Sequence, residues 1–294
     1  MRKAFEVAGH QFTVSLPDGS GLWDLMGQYA PFACGDDGRA VFGLTLSDSL
    51  PDGECSCVYD PGPEPGETVV RLFRQGGDWV VEMTPDIGIP VCAKLWMSAD
   101  CSEGRLVMLT DRPSLMLFAV NNSLMLQYAF RTAGLGVLEM HASVIRCGGK
   151  GYLFLARSGT GKSTHSQLWL KNIPGSFLLN DDNPVVAVGK DGAARVYGSP
   201  WSGKTPCYIN ESCPVGAFVQ IRRCHGNRIT PLSAVETYAL IYSSSSGFKA
   251  DRTMSDALHE TMAKVVERTP GYVLDCRPDD EAALVCAAAV MGDR

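Results

Sequence analysis

The chain has 294 residues, a formal net charge of −6, 45% hydrophobic and 20% charged side chains, a balance that suits a folded protein with a sizeable core and excludes a disordered or fibrous one. No long lysine or arginine run offsets the acidic total, which argues against nucleic acid as a partner. Charge is uneven, with eight basic and seventeen acidic side chains in residues 1–130 against eighteen and fifteen in 131–294, so an anionic ligand is expected on the second half.

From Phe5 to Asp111, short alternating apolar segments are joined by turn residues. Phe5 to Val7 and Phe12 to Ser15 flank Gly9-His10, Val69 to Phe73 and Trp79 to Met83 flank Gly76-Gly77-Asp78, and Ala93 to Met97 and Leu106 to Leu109 follow. This pattern predicts hairpins in an antiparallel sheet, with one helix near 21–29. The Pro- and Gly-rich stretch 60–66 reads as a surface loop. Residues 114–132 are too densely apolar for a one-sided strand and predict a buried helix. The domain boundary is placed before it, giving a strand-rich α+β accessory domain at 1–112 and a second domain at 113–294. Asn121 and Asn122 interrupt the longest apolar run, so no bilayer-spanning segment is expected.

Two apolar segments, 137–144 and 152–156, flank Arg146-Cys-Gly-Gly-Lys-Gly151 and predict another hairpin. The remainder alternates: a helix at 162–171, strands at 177–180, 185–188, 194–197 and 217–221, helices at 233–243 and 253–267, a strand at 272–275 and a helix at 279–291. Ser233 and Glu236 form a capping box at the start of one helix. The second half is therefore read as mixed α/β. The eleven cysteines include Cys55 and Cys57 but no CxxC pair, and the opening residues lack a secretory leader. Reduced thiols, no structural zinc and a cytoplasmic location are expected.

Residues 156–163, Ala-Arg-Ser-Gly-Thr-Gly-Lys-Ser, fit a phosphate-loop pattern with alanine in the first position. Gly159 and Gly161 let backbone N–H groups turn inward around an anion, and the following helix adds its dipole. Lys162 supplies a cation and Ser163 a hydroxyl for Mg²⁺. Ser158, Thr160 and Thr164 complete the expected nucleotide contacts. The segment Phe177-Leu-Leu-Asn-Asp-Asp182 is an apolar strand ending in paired carboxylates. Asp181 lies nineteen positions after Lys162, room for one helix, a turn and a returning strand. One carboxylate there can hold Mg²⁺ while the other takes a proton from an attacking hydroxyl. Away from a phosphate loop, the same residues would read as a solvated turn. His141 is either a satisfied core histidine or a catalytic group. The loop 198–205, with an exposed-looking Trp201 and Lys204, either closes over a ligand or is a tight turn. Arg222 and Arg223 either meet phosphate or form a solvated strand end.

The order of His141, Ala-Arg-Ser-Gly-Thr-Gly-Lys-Ser at 156–163 and Asn-Asp-Asp at 180–182 resembles the kinase domain of HPr kinase/phosphorylase. That domain is itself related to phosphoenolpyruvate carboxykinase, and the likeness covers roughly residues 135–240. It implies a mixed-sheet P-loop core and Mg²⁺-dependent transfer of phosphate from ATP to a serine-type hydroxyl of a protein, peptide or small molecule. It also implies His141 and Lys162 in the active site, with Asp181 and Asp182 sharing the roles of base and metal contact. The expected division takes Asp181 as the base and Asp182 with Ser163 as the metal contacts. Trp201, Lys204 and Arg222 are the candidate substrate contacts. The alternative is a non-catalytic ATP- or ADP-binding module that presents the N-terminal domain to a partner. Homo-oligomer formation is open under either reading.

Overall fold

The computed structural model describes residues 1–62, 68–203 and 205–292. Lys204 and most of the Pro- and Gly-rich loop lie outside them. The chain divides into two compact units, Met1–Thr132 and Ala133–Arg294.

The first unit contains β1 (Arg2–Val7), β2 (His10–Ser15), α1 (Leu22–Leu25), β3 (Ala33–Cys34), β4 (Phe42–Leu46), β5 (Ser56–Tyr59), β6 (Val69–Gln75), β7 (Asp78–Thr84), β8 (Ala93–Met97), β9 (Glu103–Met108) and α2 (Pro113–Thr132). Its sheet has the order β3-β1-β2-β4-β9-β8-β7-β6-β5. The expected hairpins are present, but β4 runs parallel to both β2 and β9. The sheet is therefore mixed, not antiparallel as expected. Residues 16–41 carry α1 and a 3-10 turn at Gly27–Phe32 back to the starting end of β2, a long crossover that strand alternation does not encode.

Helix α2 forms where the apolar density predicts it, and its contacts decide the unit to which it belongs. Gln127 donates to the Gly43 and Cys101 carbonyls, and the Tyr128 hydroxyl donates to the Val7 carbonyl. Phe130 stands edge-on to Trp79 with ring centroids 5.5 Å apart. The boundary thus falls after Thr132, not between 112 and 113, because α2 buries its apolar surface on the N-terminal sheet.

The second unit contains β10 (Val137–Glu139), β11 (Ala142–Cys147), β12 (Lys150–Leu155), α3 (Lys162–Asn172), β13 (Phe177–Asp182), β14 (Val185–Val188), β15 (Ala194–Tyr197), β16 (Ser212–Arg223), β17 (Arg228–Pro231), α4 (Ala234–Ser244), α5 (Arg252–Val266), β18 (Gly271–Cys276) and α6 (Asp280–Met291). The order is β10-β14-β15-β16-β12-β11-β13, with β18 pairing β16 and β17 pairing β18. Strands β12, β16 and β18 are mutually parallel neighbours, while β11 lies antiparallel between β12 and β13. Phe154 and Trp169 are fully buried where α3 covers this sheet. The predicted strand 137–144 is split: β10 pairs with β14, and β11 with β12 and β13, leaving Met140 and His141 at the break. The Ser233–Glu236 capping box is present.

The architecture is mixed α/β, two large mixed sheets with few helices. The eleven cysteines are free thiols. Among the described residues, no helix is long and apolar enough to cross a membrane.

Candidate active site

Strand β12 ends at Leu155 and α3 begins at Lys162, so residues 156–161 form a strand-to-helix turn. Gly159 has φ +72° and Gly161 φ +128°, conformations that strain any residue with a Cβ. Gly161 is the helix N-cap and no side chain caps it, so the first-turn N–H groups of α3 remain available to an acceptor in the turn. The helix is anchored from below, where Ser166 Oγ lies 2.6 Å from Ser143 Oγ on β11. His165 accepts from Trp169 Nε1 at 3.1 Å, and burial lowers its pKa to about 4, so it is a neutral packing residue. Arg223, at the end of β16, braces the turn by donating to the Thr160 and Gly159 carbonyls.

Strand β13 delivers the carboxylates beside this turn. Asp181 is 3% exposed and its Oδ1 accepts from Ser163 Oγ at 3.0 Å. Asp182 Oδ1 lies 3.1 Å from His141 Nδ1. Lys162 Nζ is 2.6 Å from His141 Nε2 and also donates to the Ala156 carbonyl at 3.3 Å. An ammonium only donates, so Nε2 is the acceptor and Nδ1 carries the proton offered to Asp182. Burial pushes the Lys162 ammonium below its ordinary pKa, opposed by the Asp182 and Asp181 charges. Burial pushes Asp182 up, but the His141 hydrogen bond and the nearby Lys162 charge outweigh it and hold the carboxyl below its ordinary value.

Consecutive strand residues normally face opposite sides. At Asp182 the backbone turns to φ +131°, and both carboxylates line one cavity of about 360 Å³ with His141, Lys162, Ser163 and Gly203. A non-glycine residue held in that region stores strain of about 1–3 kcal/mol, and such residues cluster at functional sites.

Of the residues expected from the motif, Ser158, Gly159, Gly161, Lys162, Ser163 and Thr164 line this cavity. Thr160 lines an adjoining one on the other flank of α3. Trp201 corrects its expected exposure: it is 3% exposed, and its carbonyl accepts from Asn180 Nδ2 and Ser199 Oγ. It ties the loop to β13. Among the described residues, that loop brings Gly203 to the cavity, and the Gly203 N–H donates to the Asp181 carbonyl at 2.6 Å. Arg222 does not face the cavity, since Asp275 holds it through two hydrogen bonds of 2.8 and 2.9 Å. Strand alternation sends its neighbour Arg223 to the turn instead.

Glu139 is the residue that the motif reading missed. It closes β10 two positions before His141, fully buried, and neither carboxylate oxygen has a partner in hydrogen-bonding geometry. Burial raises its pKa to about 7. A single acid in the otherwise apolar run 137–140 was the available signal.

Among the described residues, no group of three or more His, Cys, Asp or Glu side chains could hold a metal alone. Ser163 Oγ and Asp181 Oδ1 are hard donors placed side by side. They fit Mg²⁺, which takes most of its ligands from water and phosphate.

No family model matches the chain, and no curated protein matches it. Among solved structures, the HPr(Ser) kinase/phosphatase from Coxiella burnetii is similar over 52% of this chain and 93% of that chain, at 11% sequence identity and a TM-score of 0.31. A likeness that weak leaves function to be argued from the residues themselves.

Proposed function

We propose that the second unit is a Mg²⁺-dependent ATP phosphotransferase of the HPr kinase type, with a phosphoenolpyruvate carboxykinase-like P-loop core. Its acceptor is a serine-type hydroxyl of a protein, peptide or small molecule. The observation that carries this reading is the meeting of Lys162, Ser163, Asp181, Asp182 and His141 in one cavity at the start of α3.

The turn N–H groups and Lys162 receive the β- and γ-phosphates. Ser163 and Asp181 are the residues that would hold Mg²⁺, which when bound screens the phosphate charge. The acceptor oxygen attacks the terminal phosphorus, its proton passes to Asp182, and the bridging oxygen leaves with the nucleoside diphosphate. His141 orients Asp182 through Nδ1–H and couples it to Lys162. The contacts thus favour Asp182 as base and Asp181 as metal contact, the reverse of the division expected from sequence. A nucleotide-binding module without catalysis would need the turn and Lys162 but leaves the His141–Asp182 pair without a task.

Incubation with γ-labelled ATP, Mg²⁺ and a lysate of the source organism should label an acceptor. Tight ATP binding with no transfer to any acceptor would sink the kinase reading. Gly203→Ala gives a finer check, because a Cβ there would lie 3.0–3.2 Å from Asp182 side-chain atoms. The carboxylate would have to give by a few tenths of an ångström, which should lower transfer by roughly 3- to 10-fold with nucleotide affinity little changed, a fraction of the cost of about 100-fold for a misplacement of about 1 Å.

A further inference from the structure

A cavity of about 370 Å³ opens where the β11–β12 turn meets the start of β13 and the paired strands β15 and β16. Strand β12 runs away from it for six residues, which puts it roughly 20 Å from the 156–161 turn at about 3.3 Å per residue. The chain carries a net charge of −6, yet this cavity is lined by Arg146 and Arg195 and by no carboxylate.

Neither arginine is used up by the protein. Arg146 lies 3.9 Å from the centre of the Phe177 ring and gives one N–H to Glu211 at 2.6 Å, an acid outside the lining. Arg195 donates to the neutral Ser212 hydroxyl at 3.0 Å. A guanidinium has five N–H donors, so both side chains keep donors to spare. The backbone adds more. Gly148 and Gly149, with φ +56° and +76°, form the two-residue turn closed by Cys147 and Lys150, and Gly175 has φ +77°. Among the described residues, nothing accepts from the N–H groups of these three lining glycines.

Two forked cations and three open amides suit an oxyanion, and they offer more donors than the roughly four lone-pair sites of a carboxylate can accept. A phosphate monoester presents three strong acceptor oxygens and a charge of about −1.5 to −2, and arginine forks match its geometry. No histidine, aspartate or glutamate lines the cavity to act as a base, so a ligand there is held and not transformed.

We propose that this cavity is a second anion site, which holds a phosphate group, free or as the monoester of a small molecule, apart from the cavity of Lys162 and the paired aspartates. The assignment goes beyond the phosphotransferase reading and does not depend on it.

Calorimetric titration of the intact protein with inorganic phosphate, glycerol 3-phosphate and succinate tests it. Arg195→Gln is expected to weaken binding of the phosphate probes at least about tenfold, the scale of a lost charge-assisted hydrogen bond. Arg195→Lys, which keeps the charge and loses the fork, should fall between the two. Lys162→Met should leave this binding within about twofold of the parent, because the two cavities share no residue. Equal affinity for the two phosphate probes would assign free phosphate, and tighter binding of glycerol 3-phosphate would assign the monoester; either supports the site. Succinate bound as tightly as both would overturn the phosphate assignment. Binding abolished by Lys162→Met and untouched by both Arg195 variants, or no binding of either phosphate probe below about 10 mM, would overturn the second site. Melting curves of the unliganded variants verify that each is folded.

Discussion

Asp182→Asn is expected to reduce phosphoryl transfer by about 10²- to 10⁴-fold, the range for loss of a positioned acid–base group, while ATP affinity stays within a few-fold of the parent. The amide keeps the shape of the carboxylate and can still accept from His141 Nδ1, 3.1 Å away in the parent, so the cavity should hold its form. What disappears is an anion able to receive the acceptor's proton. Asp181→Asn should behave differently. It weakens the partner of Ser163 Oγ, so its loss should appear as a higher Mg²⁺ requirement and looser nucleotide binding. Label transfer and calorimetric titration over a Mg²⁺ series separate the two variants. Retention of transfer by Asp182→Asn, with abolition by Asp181→Asn at saturating Mg²⁺, would reverse the assigned roles.

Glu139→Gln is expected to raise the thermal stability of the protein at pH 8 and to change it much less at pH 5. The Glu139 carboxyl titrates near 7 in the fold, against an ordinary value of 4.5. Between those values the folded chain holds a proton that the unfolded chain has released. The stability tied to this group is fully present below pH 4.5, declines as pH rises, and is gone above about 7. Ionising it at pH 8 costs on the order of 3 kcal/mol by the same linkage, roughly 6–12 °C in Tm for a unit of this size. Glutamine imitates the protonated acid and escapes that cost. Melting curves at the two pH values are the check, and an equal gain at both would contradict the burial account. His165 carries the opposite sign. Its pKa in the fold is about 4 against 6.5, so its contribution is complete above 6.5 and is lost as pH falls through 4.

The glycine turn before α3 and the paired aspartates were legible in the sequence because each needs particular residue types at fixed spacing: glycines at 159 and 161, a lysine then a serine, and a strand that returns within nineteen residues. Hairpins such as β6–β7 were legible for the same local reason, alternation around Gly76-Gly77. The failures share a different cause. The parallel placement of β4 and the membership of α2 depend on partners distant in the chain, such as Val7 and Cys101 for Tyr128 and Gln127. Trp201 looked exposed because its neighbours are small and polar, yet Asn180 fastens its backbone. The separate fates of Arg222 and Arg223 follow from strand alternation and the position of Asp275, which the parallel pairing of β18 with β16 sets beside Arg222.

The backbone angle of +131° at Asp182 also bears on how this chain would respond to engineering. Glycine is the residue that this conformation suits, so a selection that rewards heat resistance alone would be drawn to Asp182→Gly early. Relief of local strain is worth about 1–3 kcal/mol, and trade-offs of this kind are common where active sites are held in uncomfortable geometry. Under the proposed role of Asp182 as base, the survivor would be firmer and unable to transfer phosphate. Stability screens of this protein therefore need activity as a second criterion at this position above others.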